Sequence, residues 1–213
     1  MRHAGFVLVG GKSSRMGRDK ALLAWNGTTL AQHAARIVEE ACGSAALVGD
    51  PARYGSLGLP VFADRFPGCG PIGGIVTALT VSSAEWCLVI GCDMPALSPE
   101  ALRLLLAETD RTDGESVVPL GEGGPEPLCA VYHRACLPAL EKAISEGRFR
   151  MRDIVNELRP RFLAGFDPAS FANLNTPEDL EAFSHSGENR AQRDAAHPGF
   201  RFPGQTPPGP VRS

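Results

Sequence analysis

The sequence predicts an α/β fold, in which a single domain has a mostly parallel β-sheet covered by helices on both faces. Short apolar runs, typical of strands buried on both faces, alternate along the chain with segments of helical spacing. The 213 residues are 43% hydrophobic, which is enough to fill a core. That length fits one domain, or one domain with an appended segment.

The amino-terminal half alternates between the two patterns. Residues 5–9 form a continuous apolar run that ends at two glycines, as expected for a buried strand. Residues 29–40 then carry apolar side chains at helical spacing, among them Leu30, Ala34 and Ile37. The same patterns predict two further strands and a second helix, at 45–48, 59–62 and 72–80.

The carboxyl-terminal half continues the alternation. Residues 86–90 form another strongly apolar strand, and Ser98 followed by Pro99 is typical of the start of a helix, here running to about Glu108. Two strands and a helix are expected at 115–119, 128–132 and 135–146. A last short helix is capped by Thr176 and Pro177.

The end of the chain differs in composition from the rest. Residues 184–213 contain five prolines, four glycines and almost no aliphatic side chains. Such a segment buries too little apolar surface to offset the entropy lost on ordering. We therefore expect a domain at 1–183 and a disordered tail at 184–213.

Composition also limits the class of protein. With 21 Lys and Arg against 24 Asp and Glu, the net charge is −3, which argues against a general nucleic-acid binder. No apolar run approaches the ~18–20 residues that span a bilayer. The short apolar start leads into Lys12 rather than a cleavage site, so we expect a cytoplasmic protein without membrane contact. The six cysteines lack C-x-x-C spacing and are expected to be reduced.

The segment after the first strand carries the clearest functional pattern. In parallel sheets, ligands bind beyond the carboxyl ends of the strands. Residues 10–20 combine three glycines, two serines and four basic side chains at exactly such a position. Glycine-rich turns present backbone N–H groups to anions, so this loop is predicted to bind a triphosphate.

Two known phosphate-binding motifs do not match this loop. A P-loop would require glycine at the position of Phe6, so that match fails, and a dinucleotide-binding fingerprint is absent. A solvated basic loop remains the alternative to phosphate binding.

Two aspartates follow later strands. Asp93 comes after the strand at 86–90, where it is placed to hold Mg²⁺ beside phosphates, with a turn-forming aspartate as the alternative. Asp64 follows the strand at 59–62 and precedes a glycine-rich turn at 68–74, whose helix N-terminus suits a nucleoside or a second anion. Asp64 either contacts base or ribose, or caps its loop.

These motifs together resemble a known family. The run LVGGKSSRMGRDKALL at 8–23 resembles the nucleotidyltransferase signature L-A-G-G-x-S-x-R-M-G-x-D-K-x-L-L, and more narrowly it is similar to the molybdenum cofactor guanylyltransferases. The similarity extends through Asp64 and further segments at 70–71, 92–95, 126–128 and 171–177. It implies a Rossmann-like domain of the nucleotide-diphospho-sugar transferase type.

The resemblance also implies an activity and a set of site residues. The activity is Mg²⁺-dependent transfer of GMP from GTP to molybdopterin, with molybdoenzymes or other cofactor-assembly proteins as partners. Implied nucleotide contacts are Leu8, Val9, Gly10, Gly11, Lys20, Asp64 and Asp93. Implied catalytic residues are Arg15, Lys20 and Asp93, with Asp93 as the metal ligand. Implied acceptor contacts are Asn173 and Asn175.

The chain departs from the family pattern at two places. Val9 stands where the family has alanine, which is compatible with use of its backbone alone. An asparagine often found after the second strand is missing, because the chain continues from Val48 as Gly-Asp-Pro. The contact to the base is therefore unassigned.

Other functions stay open at this point. A molybdopterin cytidylyltransferase or a sugar- or alditol-phosphate nucleotidyltransferase would share the glycine-rich loop. A non-catalytic nucleotide-binding delivery module would keep the fold without turnover. Arg148, Arg150 and Arg152 are a further candidate for contact with a polyanionic acceptor, with a solvated charged stretch as the alternative.

Overall fold

A computed structural model describes residues 2–10 and 19–174. The strands are β1 His3–Leu8, β2 Ala24–Trp25, β3 Thr28–Thr29, β4 Ala46–Val48, β5 Val61–Phe62, β6 Trp86–Gly91, β7 Ser116–Gly121, β8 Gly124–Pro125, β9 Cys129–His133 and β10 Pro160–Leu163. The helices are α1 Leu30–Cys42, α2 Pro51–Tyr54, α3 Pro71–Val81, α4 Pro99–Ala107, α5 Leu137–Ser145 and α6 Met151–Ile154. Short 3₁₀ turns connect several of them.

The main sheet has the strand order β10-β7-β9-β6-β1-β4-β5, with β8 paired to β7. Strands β1, β4, β5 and β6 run parallel, and β10 runs parallel to β7, whereas β9 is antiparallel to both of its neighbours. The short link at 122–128 makes β9 antiparallel to β7, because a parallel crossover needs about a dozen residues or more. The prediction of a mostly parallel α/β sheet is confirmed.

Buried side chains form one apolar layer on each face of the sheet. Val7 of β1 packs into the layer under α1 and α4, while the neighbouring Phe6 packs into the layer under α3 and α5. This alternation follows from the period of two in a strand. The sheet is therefore the middle of three layers.

The predicted helix starts are borne out by their capping contacts. Ser98 caps α4, since its hydroxyl accepts from the Ala101 N–H at 3.2 Å. Thr29 and Gln32 form a reciprocal capping box at the start of α1. No helix within residues 2–10 and 19–174 is long and apolar enough to cross a membrane.

Several elements were not predicted. The β2–β3 hairpin turns at Asn26 and Gly27, both with positive φ, which is the Asn-Gly turn signal of a two-residue hairpin. Strand β10 begins at Pro160, which is tolerated because β10 lies at the sheet edge. These strands are too short to show the alternation of apolar and polar residues that predicts a strand. The last predicted helix and the tail at 184–213 lie outside the described residues.

Candidate active site

A cavity of about 660 Å³ opens at the carboxyl ends of β1, β4 and β6. Its wall is built from the residues that end these strands or follow them, and from the start of α3. Lining residues are Leu8, Val9, Gly10, Asp19, Lys20, Ala21, Val48, Asp64, Gly68, Gly70, Pro71, Gly74, Gly91, Cys92, Asp93 and Leu128. The fold thus gathers six of the implied nucleotide contacts into one space, although their roles stay predictions.

Lys20 and Asp93 form an ion pair inside this cavity. The Lys20 Nζ lies 3.1 Å from the Asp93 Oδ2, and the two side chains are 15% and 27% exposed. Asp93 turns back over the end of β6, where a Cβ on Gly91 would lie 2.8 Å from its Oδ1. A cation and a carboxylate therefore meet at the point where phosphates and a divalent ion were expected.

Asp64 lies at the cavity but its carboxylate also holds its own loop. The Asp64 Oδ1 accepts from the Phe66 N–H at 2.9 Å and from the Thr77 hydroxyl at 3.3 Å. These hydrogen bonds favour loop capping, one of the two interpretations left open by the sequence. A direct contact to the nucleotide stays a prediction.

The first turns of α3 approach their neighbours closely because glycines stand at positions 73 and 74. Gly70 precedes the helix with a φ of +73°, and Pro71 occupies its first turn. A Cβ on Gly73 would lie 2.7 Å from the Phe66 carbonyl oxygen and 3.0 Å from the Asp64 Oδ1. The glycines thus let a helix N-terminus, which favours anions, form one wall of the cavity.

Gly73→Ala is expected to destabilise the protein and weaken nucleotide binding. Alanine alone would favour the helix, but the backbone oxygen of Phe66 cannot move without shifting the Asp64 loop. Overpacking of about 1–3 kcal/mol corresponds to a Tm lowered by roughly 3–10 °C. Thermal denaturation with and without nucleotide measures both effects.

Gly55→Ala is the matched control for this prediction. Gly55 has a right-handed helical φ of −60°, and a Cβ there would meet no atom within 4 Å. Its substitution is expected to leave Tm unchanged or raise it slightly. Equal stability of the two variants would contradict the close packing at Gly73.

The donor atoms in the cavity suit a magnesium ion held mainly by substrate and water. Within the part of the chain that the structure describes, no group of three or more His, Cys, Asp or Glu side chains gathers. Burial raises the pKa of the Cys92 thiol to about 12, which keeps it protonated at neutral pH, and Mg²⁺ prefers oxygen ligands to sulfur. Asp93 would supply one carboxylate, and Mg²⁺ commonly takes one or two beside phosphates.

The implied acceptor residues can be placed in part. Leu174 donates its N–H to the Asp93 backbone oxygen at 2.9 Å, so the exposed Asn173 directly precedes a residue that contacts Asp93. Gly11, Arg15 and Asn175 lie outside the described residues.

The three arginines near α6 form surface ion pairs. Arg148 bonds to Glu146 and Glu157, and Arg150 is 89% exposed beside Asp153. Arg152 donates to Glu126 at 3.1 Å. These contacts favour the solvated interpretation of the three arginines.

Two contributors to the site were missed by sequence reasoning. Asp19 lines the cavity, and the buried Tyr54 donates its hydroxyl to the Asp19 Oδ2 at 2.7 Å. Asp19 belongs to the motif at 8–23 and could have been singled out there. Tyr54 carries no sequence signal, since a tyrosine after a short strand is compatible with any core position.

The three layers, the strand order and the cavity define an α/β protein with a ligand site at the carboxyl edge of its sheet. The chain belongs to the MobA-like NTP transferase domain family, whose model matches residues 5–161. It is therefore a nucleotidyltransferase, and the family resemblance inferred from the sequence is confirmed.

Individual relatives agree with this assignment. The chain is 36% identical to a probable molybdenum cofactor guanylyltransferase of Deinococcus radiodurans over 183 residues, covering 85% of this chain and 94% of the relative. A protein of the same name from Carboxydothermus hydrogenoformans is 33% identical, with 82% and 91% covered. The crystal structure of molybdopterin-guanine dinucleotide biosynthesis protein A from Archaeoglobus fulgidus matches with a TM-score of 0.74 at 28% identity, covering 87% of this chain and 99% of that one.

Proposed function

We propose that this protein transfers the GMP moiety of GTP to the terminal phosphate of molybdopterin and releases pyrophosphate. The observation that carries the proposal is the Lys20–Asp93 pair within a cavity at the carboxyl edge of the sheet. The names of the curated relatives supply the acceptor and the base. The proposal includes a requirement for Mg²⁺.

The cavity has the size and lining that a nucleotide needs. Its volume of about 660 Å³ lies in the range of small-molecule sites. Leu8, Val9 and Val48 offer apolar surface, while Gly10, with a φ of +102° and no side chain, would let a ligand approach its backbone. Lys20, together with the implied Arg15, would meet the phosphate charge.

The reaction requires positioning rather than covalent help from the protein. An oxygen of the acceptor phosphate, already ionised at neutral pH, attacks the α-phosphorus of GTP, and the bond to the bridging oxygen of pyrophosphate breaks. Lys20 stabilises the negative charge that develops on the leaving pyrophosphate. Asp93 would hold Mg²⁺, which would supply positive charge to offset that of the phosphates. No general base is needed.

A cytidylyltransferase is the second candidate function. The asparagine that the family often has after the strand corresponding to β4 is absent here, where Gly49 and Asp50 follow β4. Asp50 caps α2 by accepting from the Ala52 N–H at 2.9 Å. This position therefore carries a capping carboxylate rather than an amide that could read guanine.

Nucleotide titration is expected to decide between these candidates. GTP with Mg²⁺ at about one hundred times its Kd should raise Tm by roughly 5–10 °C, and CTP and ATP should do less. Adding molybdopterin should then release pyrophosphate from GTP. Selective stabilisation by CTP would favour the cytidylyltransferase. Turnover with a sugar phosphate but not with molybdopterin would indicate a sugar-phosphate nucleotidyltransferase. Binding without pyrophosphate release would indicate a delivery module.

Further parts of the proposal concern the whole chain in its cellular setting. We assign catalysis to the domain at 1–183, with 184–213 as an appended tail, and expect delivery of the product to molybdoenzymes or other cofactor-assembly proteins. All six cysteines lie in the described part of the chain as free thiols, which suits the reducing cytoplasm.

A further inference from the structure

We propose that Tyr54 is a positioning residue for nucleotidyl transfer, whose buried hydroxyl holds the Asp19 carboxylate and thereby the backbone at Lys20. The inference rests on the proposed function, since it takes the cavity at Lys20 as the site of the phosphates. It assigns a role to a side chain that follows β4 and lies outside the family signature.

Tyr54 donates one hydrogen bond from a buried position to the Asp19 carboxylate. The residue is 1% exposed, and its hydroxyl lies 2.7 Å from the Asp19 Oδ2. Burial, together with the Asp19 carboxylate, raises the pKa of the Tyr54 hydroxyl well above its usual range, so it remains a protonated donor. A buried hydroxyl without a partner is costly, which explains why the pair is held together.

Asp19, held by Tyr54, in turn fixes the backbone at Lys20. The Asp19 Oδ1 accepts from the Ala21 N–H at 3.1 Å and so caps the 3₁₀ turn that begins at Lys20. The Asp19 Oδ2 accepts from Arg53 at 3.0 Å as well as from Tyr54. The Lys20 backbone is therefore fixed from its N-terminal side by a carboxylate that α2 holds in place.

Tyr54 also lies close to Gly10, where the glycine-rich loop begins. A Cβ on Gly10 would stand 3.5 Å from the Tyr54 hydroxyl, and one on Gly49 would stand 3.0 Å from the Tyr54 ring. The ring thus fills the space between the ends of β1 and β4. One side chain thus lies close to Gly10 at the end of β1 and holds Asp19 beside Lys20.

The hydrogen bonds to Asp19 also reduce the repulsion that its carboxylate would exert on phosphates in the cavity. Asp19 places a negative charge in the wall of a cavity that should receive a triphosphate. Donation by Tyr54 and Arg53 directs this charge toward α2 and partly neutralises it. Without the hydroxyl, the carboxylate would be freer to turn toward the phosphates and repel them.

Tyr54→Phe tests the inference because it keeps the ring and removes the hydrogen bond. We expect kcat/KM for GTP to fall about tenfold, with a matching loss of GTP affinity measured by calorimetry, because the lost bond involves a charged acceptor. Ser116→Ala is the matched control. It removes another fully buried hydroxyl, in β7, which donates to the Leu158 carbonyl at 3.2 Å and does not line the cavity. It should lower Tm without changing kcat/KM.

Measuring Tyr54→Phe in the Asp19→Asn variant distinguishes a positioning role of the Tyr54 hydroxyl from a role in packing. Since no carboxylate remains to be directed, Tyr54→Phe should then change kcat/KM by less than about twofold. An unchanged kcat/KM in the single variant, or the same tenfold loss in both backgrounds, would overturn the inference. If the wild type binds CTP rather than GTP, the proposed function is wrong, and the same comparison made with CTP still decides the role of Tyr54.

Discussion

Asp93→Ala is expected to abolish pyrophosphate release from GTP. The substitution removes the carboxylate that we propose as the ligand of the divalent ion, and the positive charge that this ion would supply to the phosphates would be lost with it. Asp93→Asn, which keeps the shape but not the charge, should lose a factor of about 10²–10³. A pyrophosphate-release assay with saturating Mg²⁺ measures both.

The fold should survive these changes. The Asp93 backbone oxygen still accepts from the Leu174 N–H, and the side chain is partly exposed, so Tm should change little. Asp110→Asn is the control, because it removes another ion-paired carboxylate, one that faces Arg2 away from the cavity. It should leave turnover unchanged. If Asp93→Ala retained most of its activity, the metal role of Asp93 would be wrong.

Lys20→Met is expected to lower kcat/KM by about 10²-fold or more, because the ammonium should stabilise the charge that develops on pyrophosphate. The same substitution should strengthen binding of Mn²⁺ in the absence of nucleotide, since Asp93 no longer pairs with an ammonium at 3.1 Å. Lys20→Arg should restore activity only in part, because a planar guanidinium does not reproduce a point charge. Kinetics and electron paramagnetic resonance of bound Mn²⁺ measure these effects.

Lys142→Met is the matched control for Lys20. Lys142 is 71% exposed and lies 3.8 Å from Glu146, so its loss should affect neither turnover nor Mn²⁺ affinity. A Lys20→Met variant with wild-type turnover would remove Lys20 from the mechanism. Unchanged Mn²⁺ affinity would show that the ion pair does not oppose metal binding.

Most of the sheet was predictable because its longer strands are continuous apolar runs, which can be recognised from neighbouring residues alone. The runs at 5–9 and 86–90 are apolar throughout and became β1 and β6 at the centre of the sheet. The rule that ligands bind at the carboxyl ends of parallel strands then predicted where Lys20, Asp64 and Asp93 would meet. The antiparallel insertion of β9 between β6 and β7 was not predicted, because strand order depends on contacts far apart in sequence.

The sequence by itself determined the α/β class, the family and the edge of the sheet at which the site lies, since periodicity, caps and glycine patterns are properties of neighbouring residues. Tertiary structure alone decided which side chains became partners. Lys20 and Asp93 are 73 positions apart, and Tyr54 and Asp19 are 35 apart. Such pairs exist only after β1, β4 and β6 align their ends, because packing across the sheet sets distances that no local pattern contains.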